Sequence, residues 1–262
     1  MVIQATIQGA QTCCSRIHDS ICRLIVLDEL WGTWNSVDRD EAQQIYRGYT
    51  GIALTQMRTS LLNEVMLILC RLFDNSDNKT GKERASFKRM VWFLEQSEIS
   101  LHLPQRAAEW SAHTTYLGDD EEDPNVQTAL RSMQSQFATE DMGRVQTAIQ
   151  QFSEKIRFIE SEEPNRIARI IAFRNKHLAH DLINESETEV TVRDVRSLVG
   201  DVETLGKDSY LIFAGTSTDY GNLRYEASAG VQSVWKLLVK GSAATEAERL
   251  AKRSSRFGVI SA

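Results

Sequence analysis

Arg174, Asn175, Lys176, His177, His180 and Asp181 crowd into eight consecutive positions. Their chemistry is that of anion binding and proton transfer: a guanidinium stays charged and offers a planar fork of donors, while an imidazole titrates near neutral pH. Ile167, Ile171, Arg174 and Leu178 recur at spacings of four, three and four, and Ala168, Ala172 and Ala179 widen the same stripe. Arg174 therefore stands where a Leu is expected. A buried guanidinium with no partner costs several kcal/mol, so it must meet an acceptor, a cavity or another chain. His177 follows on nearly the same face, and His180 lies roughly 120° round, on the side of Arg169, Phe173 and Lys176. One helix over 161–181 is predicted to carry them all. Ser161 supplies its cap, Glu162 and Glu163 suit the positive end of its dipole, and Pro164 needs no donor in the first turn.

The run Arg174-Asn175-Lys176-His177-Leu178-Ala179-His180 resembles the signature of HEPN domains, an Arg with a polar neighbour followed by a His after four to six intervening residues; five intervene here. The wording RNKHLAHD is most similar to the AbiU2-like branch, named for abortive phage infection, and Leu69-Cys70-Arg71-Leu72-Phe73-Asp74 resembles a second segment of that branch. The resemblance extends over roughly residues 10–240. Arg106 and His113 satisfy the same spacing, so spacing alone is weak; only Arg174 stands on a capped apolar helix with Asn175 after it and His177 beside it.

The resemblance implies an all-α, HEPN-like helical bundle and RNA cleavage without a metal or other cofactor, in which the ribose 2′-hydroxyl attacks the neighbouring phosphodiester. Arg174 and His180 are the implied catalytic pair. Asn175, His177, Lys176, Asp181 and Arg169 are implied as substrate-binding or supporting residues, with Asn175 holding substrate or orienting the His, and His177 a second proton carrier or a partner of Asp181. HEPN proteins set two motifs against each other across a homodimer, which implies a two-fold contact through the 161–181 helix. A toxin or phage-defence role with an antitoxin partner belongs to the same expectation. Two other readings stand beside it. Arg174 bridges to Glu64, Asp74 or another acid while His180 caps the helix, in a domain that binds nucleotide or RNA without cleaving it, or the chain serves protein interaction alone.

Composition limits the choices. The chain has 262 residues, 42% of them hydrophobic, which is enough for one large domain with appendages. Three prolines and a helix-forming composition favour an all-α protein. A net charge of −6 excludes nucleic-acid binding through the whole surface but leaves room for a local basic cleft, and Arg166, Arg169, Arg174 and Lys176 concentrate positive charge on one helix. Cysteines at positions 13, 14, 22 and 70 form no disulfide framework, and the first residues lack the pattern of an export signal, so a reduced cytoplasm is expected. No run approaches about 18 consecutive apolar residues, the length a membrane span needs. Cys14, His18 and Cys22 stand four apart on one helical face, but three ligands with no fourth do not make a structural zinc site.

The supporting elements follow from periodicity. Helical spacing predicts a long first helix over about 3–34, and a second from Asp38 or Asp40 to about Phe73, bent at Gly48 or Gly51. A polar loop over 75–83 precedes a short amphipathic helix at Phe87–Leu94. Pro104 is predicted to open a helix, and GDDEEDPN at 118–125 is a solvated acidic turn with Pro124 starting a long helix to about Ile159, interrupted near Gly143. Thr191 with Asp194 starts another helix that Gly206 closes. Residues 210–223 form either a brief strand or an irregular loop, and Val231 to Leu238 a last core helix. One domain is expected over 1–240, followed by a basic, flexible tail over 241–262 that carries Arg249, Lys252, Arg253 and Arg256.

Overall fold

A computed structural model describes residues 2–36, 48–74, 85–114, 123–162, 165–175 and 190–257. Among these residues there are eight helices and no strand: α1 (Val2–Ser36), α2 (Gly48–Leu72), α3 (Phe87–Leu94), α4 (Ser97–Thr114), α5 (Pro124–Ser161), α6 (Arg166–Phe173), α7 (Val192–Ala214) and α8 (Gly221–Phe257). The all-α expectation holds. Asp38 and Asp40, the 75–83 loop and most of the acidic turn at 118–125 lie outside the described residues.

The chain divides into two compact units, where the sequence suggested one domain. The first comprises Met1–Cys22 and Met66–Asp219. In it α4 runs along α5, α5 packs on α7, and the short α6 bridges both α5 and α7. Its core is an aromatic ladder. Phe73 meets Phe87 in a tilted pair at 5.4 Å, and Phe87 meets the edge of Phe152 at 6.2 Å; Ile17, Met66, Leu69, Val145, Val199 and Val202 of the same unit are likewise inaccessible or nearly so. The second unit comprises Arg23–Val65 and Tyr220–Ala262. There Trp34, Leu54 and Trp235 form a cluster backed by Leu61, Leu238 and Val239, and Arg224 bridges Asp28 at 3.1 Å and Glu29.

Local chemistry explains most boundaries. Asp123 accepts from the Asn125 N–H and Pro124 takes the first helical position, so α5 begins as predicted, and it passes Gly143 unbroken. Thr191 and Asp194 form a reciprocal capping box at the start of α7. Three expectations are corrected. Gly206 does not close that helix: buried among Val202, Leu205 and Ser209 it stays helical, and α7 ends only where Gly215 adopts a φ of 75°, the left-handed C-cap that favours glycine. Over the 210–223 segment the irregular alternative holds: residues 211–214 are the last turn of α7, 215–220 are irregular, and α8 starts at Gly221, with no strand. Pro104 opens nothing; it lies inside α4, where burial of Ile99, Leu103 and Ala107 offsets the lost backbone hydrogen bond. The expected tail is helical as far as Phe257, continuous with α8.

Candidate functional site

Within the segment predicted as one helix over 161–181, the described residues belong to two elements. Ser161 is the last residue of α5, and its hydroxyl donates back to the Phe158 carbonyl at 3.1 Å instead of capping a new helix. Asn165 is the true cap of α6: its side chain accepts from the Ala168 N–H at 2.9 Å and donates to the Glu160 carbonyl at 2.5 Å, fixing the corner between the two helices. Ile167 and Ile170 are the buried residues of α6, while Ala168 and Ala172 are exposed. Arg174 follows Ile170 by four and Ile167 by seven, so it continues the buried stripe, though about a residue away from the one expected. At Arg174 and Asn175 the backbone opens into a π turn, a widening that recurs at functional sites.

Three arginines line this short element, and their surroundings differ. Arg166 binds Asp201 at 3.1 Å, Glu162 and the Ser197 hydroxyl, with its side chain only 12% exposed. Burial raises the Asp201 carboxyl above its usual range, with Glu162 adding to the effect and Arg166 opposing it. Arg169 binds Asp194 at 2.8 Å. Arg174, half-buried, donates from Nε and Nη2 to the single Oδ1 of Asn175 at 3.0 and 2.8 Å, and among the described residues it pairs with no carboxylate. Glu64 is occupied by Arg23 at 3.0 Å.

The charge of Arg174 is also felt in the second segment singled out in the sequence. Cys70, buried at the end of α2, has its thiol pushed up to about 11, first by burial; the positive charge of Arg174 opposes that rise and Asp74 adds to it. Leu69–Asp74 and Arg174–Asn175, a hundred residues apart in sequence, thus lie in the same unit and within electrostatic reach of each other. Lys176, His177, His180 and Asp181 lie outside the described residues. Arg169 ties α6 to the capping box of α7 through Asp194. Sequence reading recognised Asp194 only as a helix starter, because nothing local signals its second role.

That double role yields a test. Against the raising effect of burial, hydrogen bonds from Thr191 and the Arg169 guanidinium hold the Asp194 carboxyl below its usual range. A carboxylate lowered in the folded state stabilises the fold above its unfolded pKa of about 3.9, and that contribution is lost as pH falls through the folded value. Asp194→Ala is therefore expected to lose about 1–2 kcal/mol at pH 7, with the deficit against wild type shrinking at pH 3 and below; urea titrations at both pH values measure it.

The Cys14–His18–Cys22 row resolves into separate contacts. Cys14 donates to the Ser209 carbonyl at 3.6 Å, and burial, with Cys13 adding to it, pushes its thiol up to about 12 despite that bond. Cys22 lies 3.6 Å from His18 Nε2, and the His18 ring packs on Tyr210 at 4.8 Å. Among the described residues no group of three or more His, Cys, Asp or Glu is arranged to hold a metal ion, and no helix is long and apolar enough to cross a membrane.

The family model of HEPN AbiU2 matches residues 14–234, a span that contains both Leu69–Asp74 and Arg174–His180. No curated protein and no solved structure matches the chain.

Proposed function

Because the chain belongs to the AbiU2 family of HEPN domains, we propose that it is a metal-independent endoribonuclease of the cytoplasm, acting in phage defence or as the toxin of a toxin–antitoxin pair. The observation that carries this reading is the contrast among the three arginines of one helix. Arg166 and Arg169 are neutralised by carboxylates, whereas the charge of Arg174 is steadied by the neutral amide of Asn175, which leaves its remaining N–H donors for an anion.

The chemistry follows from those groups. Arg174 binds the non-bridging oxygens of a phosphodiester and stabilises the charge that grows as the ribose 2′-oxygen attacks phosphorus. His180 takes the 2′-hydroxyl proton. The phosphorus–5′-oxygen bond breaks and the leaving oxygen is protonated, which yields a 2′,3′-cyclic phosphate and a 5′-hydroxyl. His177 in its protonated form, or protonated His180 of a second copy docked through the 161–181 segment, supplies the proton to the leaving oxygen, and proton exchange with water resets the two imidazoles. Lys176 adds charge for the flanking phosphate, and Asp181 orients His177. A two-fold dimer brings two such motifs together.

The test is cleavage of single-stranded RNA by the wild-type chain in excess chelator, with the product ends identified. Cyclic phosphate ends, and resistance of a 2′-deoxy substrate, are expected. RNA left intact, or cleavage that chelator abolishes, would overturn the reading in favour of RNA binding without catalysis.

A further inference from the structure

A cavity of about 280 Å³ in the first unit is lined by Gln8, Thr12 and Arg16 of α1 and by Arg89 and Phe93 of α3. Both rows follow from helix geometry. Gln8, Thr12 and Arg16 stand four apart, as do Arg89 and Phe93, so each set forms one stripe along its helix. Arg89 is only 7% exposed, and its guanidinium lies over the Trp92 ring at 3.9 Å and beside the Phe93 ring at 4.9 Å. Stacking holds a guanidinium by its faces and fixes its plane, with the N–H donors directed outward in that plane. Thr12 donates its hydroxyl proton to the Gln8 carbonyl at 2.8 Å, which leaves the lone pairs of its oxygen as an acceptor. Gly9 and Phe93 make the wall apolar between these groups: a Cβ built on Gly9 would stand 3.5 Å from the ring. Among the described residues the lining holds two guanidinium groups and no carboxylate, in a chain whose net charge is −6.

We propose that this cavity binds a small sugar phosphate, with the phosphate on Arg16 and Arg89 and a sugar hydroxyl on Thr12. Charge selects the anion. Two guanidinium groups in one cavity favour a phosphomonoester over a simple carboxylate, because the phosphate carries about −1.5 to −2 charge and three strong acceptor oxygens. The Thr12 oxygen, its own proton already given to Gln8, calls for a donor on the same ligand, which a sugar hydroxyl supplies. The apolar wall of Gly9 and Phe93 suits the carbon face of a compact ring. The volume lies just below the roughly 300 Å³ at which pockets for drug-sized ligands begin, so a small ligand fits it best. The cavity shares no lining residue with the group around Arg174, and its ligand does not depend on the chain cleaving RNA.

The experiment titrates ribose 5-phosphate into the full chain by isothermal calorimetry, with inorganic phosphate and ribose as separate probes of the two halves of the ligand. Ribose 5-phosphate should bind with a Kd of about 1 mM or tighter, the affinity ordinary for a ligand of its size. Inorganic phosphate should bind about tenfold more weakly, and ribose not measurably. Arg16 is exposed, so Arg16→Gln leaves the fold intact and should weaken ribose 5-phosphate on the order of tenfold or more, as for the loss of a charge-assisted hydrogen bond. Thr12→Val should erase the advantage of the sugar phosphate over inorganic phosphate. Arg174→Ala should bind as wild type does. Absence of binding at ten times the expected Kd, affinity unchanged by Arg16→Gln, or ribose binding as tightly as its phosphate would overturn the proposal. Loss of binding in Arg174→Ala would overturn it too, by placing the anion at the candidate active site.

Discussion

Arg174→Ala should reduce RNA cleavage by about two to three orders of magnitude, the loss on record when one donor that stabilises transition-state charge is removed. The side chain is half-buried and its polar partner is the adjacent Asn175, so truncation orphans no carboxylate among the described residues and the melting temperature should move little. Arg174→Lys is the sharper variant. It retains the charge but replaces a planar fork held by Asn175 with a single ammonium that cannot bind phosphate oxygens in pairs, so an activity loss on the order of tenfold or more is expected. His180→Ala should cost about a hundredfold to ten-thousandfold, the range for loss of a general base or acid. Single-turnover cleavage rates in chelator, with circular dichroism as the control for folding, measure all three. An Arg174→Ala protein as active as wild type would show that the guanidinium serves the fold and not the reaction.

Phe152→Ala is the structural counterpart and should destabilise the first unit by about 3–5 kcal/mol, enough to remove a large part of the stability of an ordinary domain. Phe152 has no accessible surface and closes the ladder through Phe87 to Phe73. Its removal leaves a cavity bounded by aromatic rings on helices that cannot easily close over it. The effect should reach the candidate site, because Phe73 belongs to the Leu69–Asp74 segment, whose Cys70 feels the charge of Arg174. Urea unfolding followed by far-ultraviolet circular dichroism measures the loss. A change below about 1 kcal/mol would mean that the ladder relaxes around the missing ring.

Periodicity and capping chemistry are local, and the chain carries them openly. The long first helix, the start of α5 at Asp123 and Pro124, and the capping box of Thr191 and Asp194 follow from residues within one turn of each boundary. The same local logic fails where two signals compete. Ser161 and Asn165 both have capping side chains, and the outcome depended on α5 continuing as far as Ser161. Gly206 and Pro104 read as punctuation, yet each lies inside a helix whose burial outweighs a propensity cost of about 1 kcal/mol for glycine and about 3 kcal/mol for proline.

The sequence by itself determined the all-α class, the family signature around Arg174 and the oddity of a charged residue on an apolar stripe. It singled out Arg174 by its motif and its stripe, but could not show which partners meet Arg166 and Arg169, which are chemically alike and lie within nine positions of it. Tertiary structure supplied those partners. Folding α7 against α6 delivers Asp194 to Arg169 and Asp201 to Arg166, across 25 and 35 positions of chain. The physical reason is that a side chain's charge is written in the sequence, but the carboxylate that neutralises it comes from wherever packing sets a neighbouring helix.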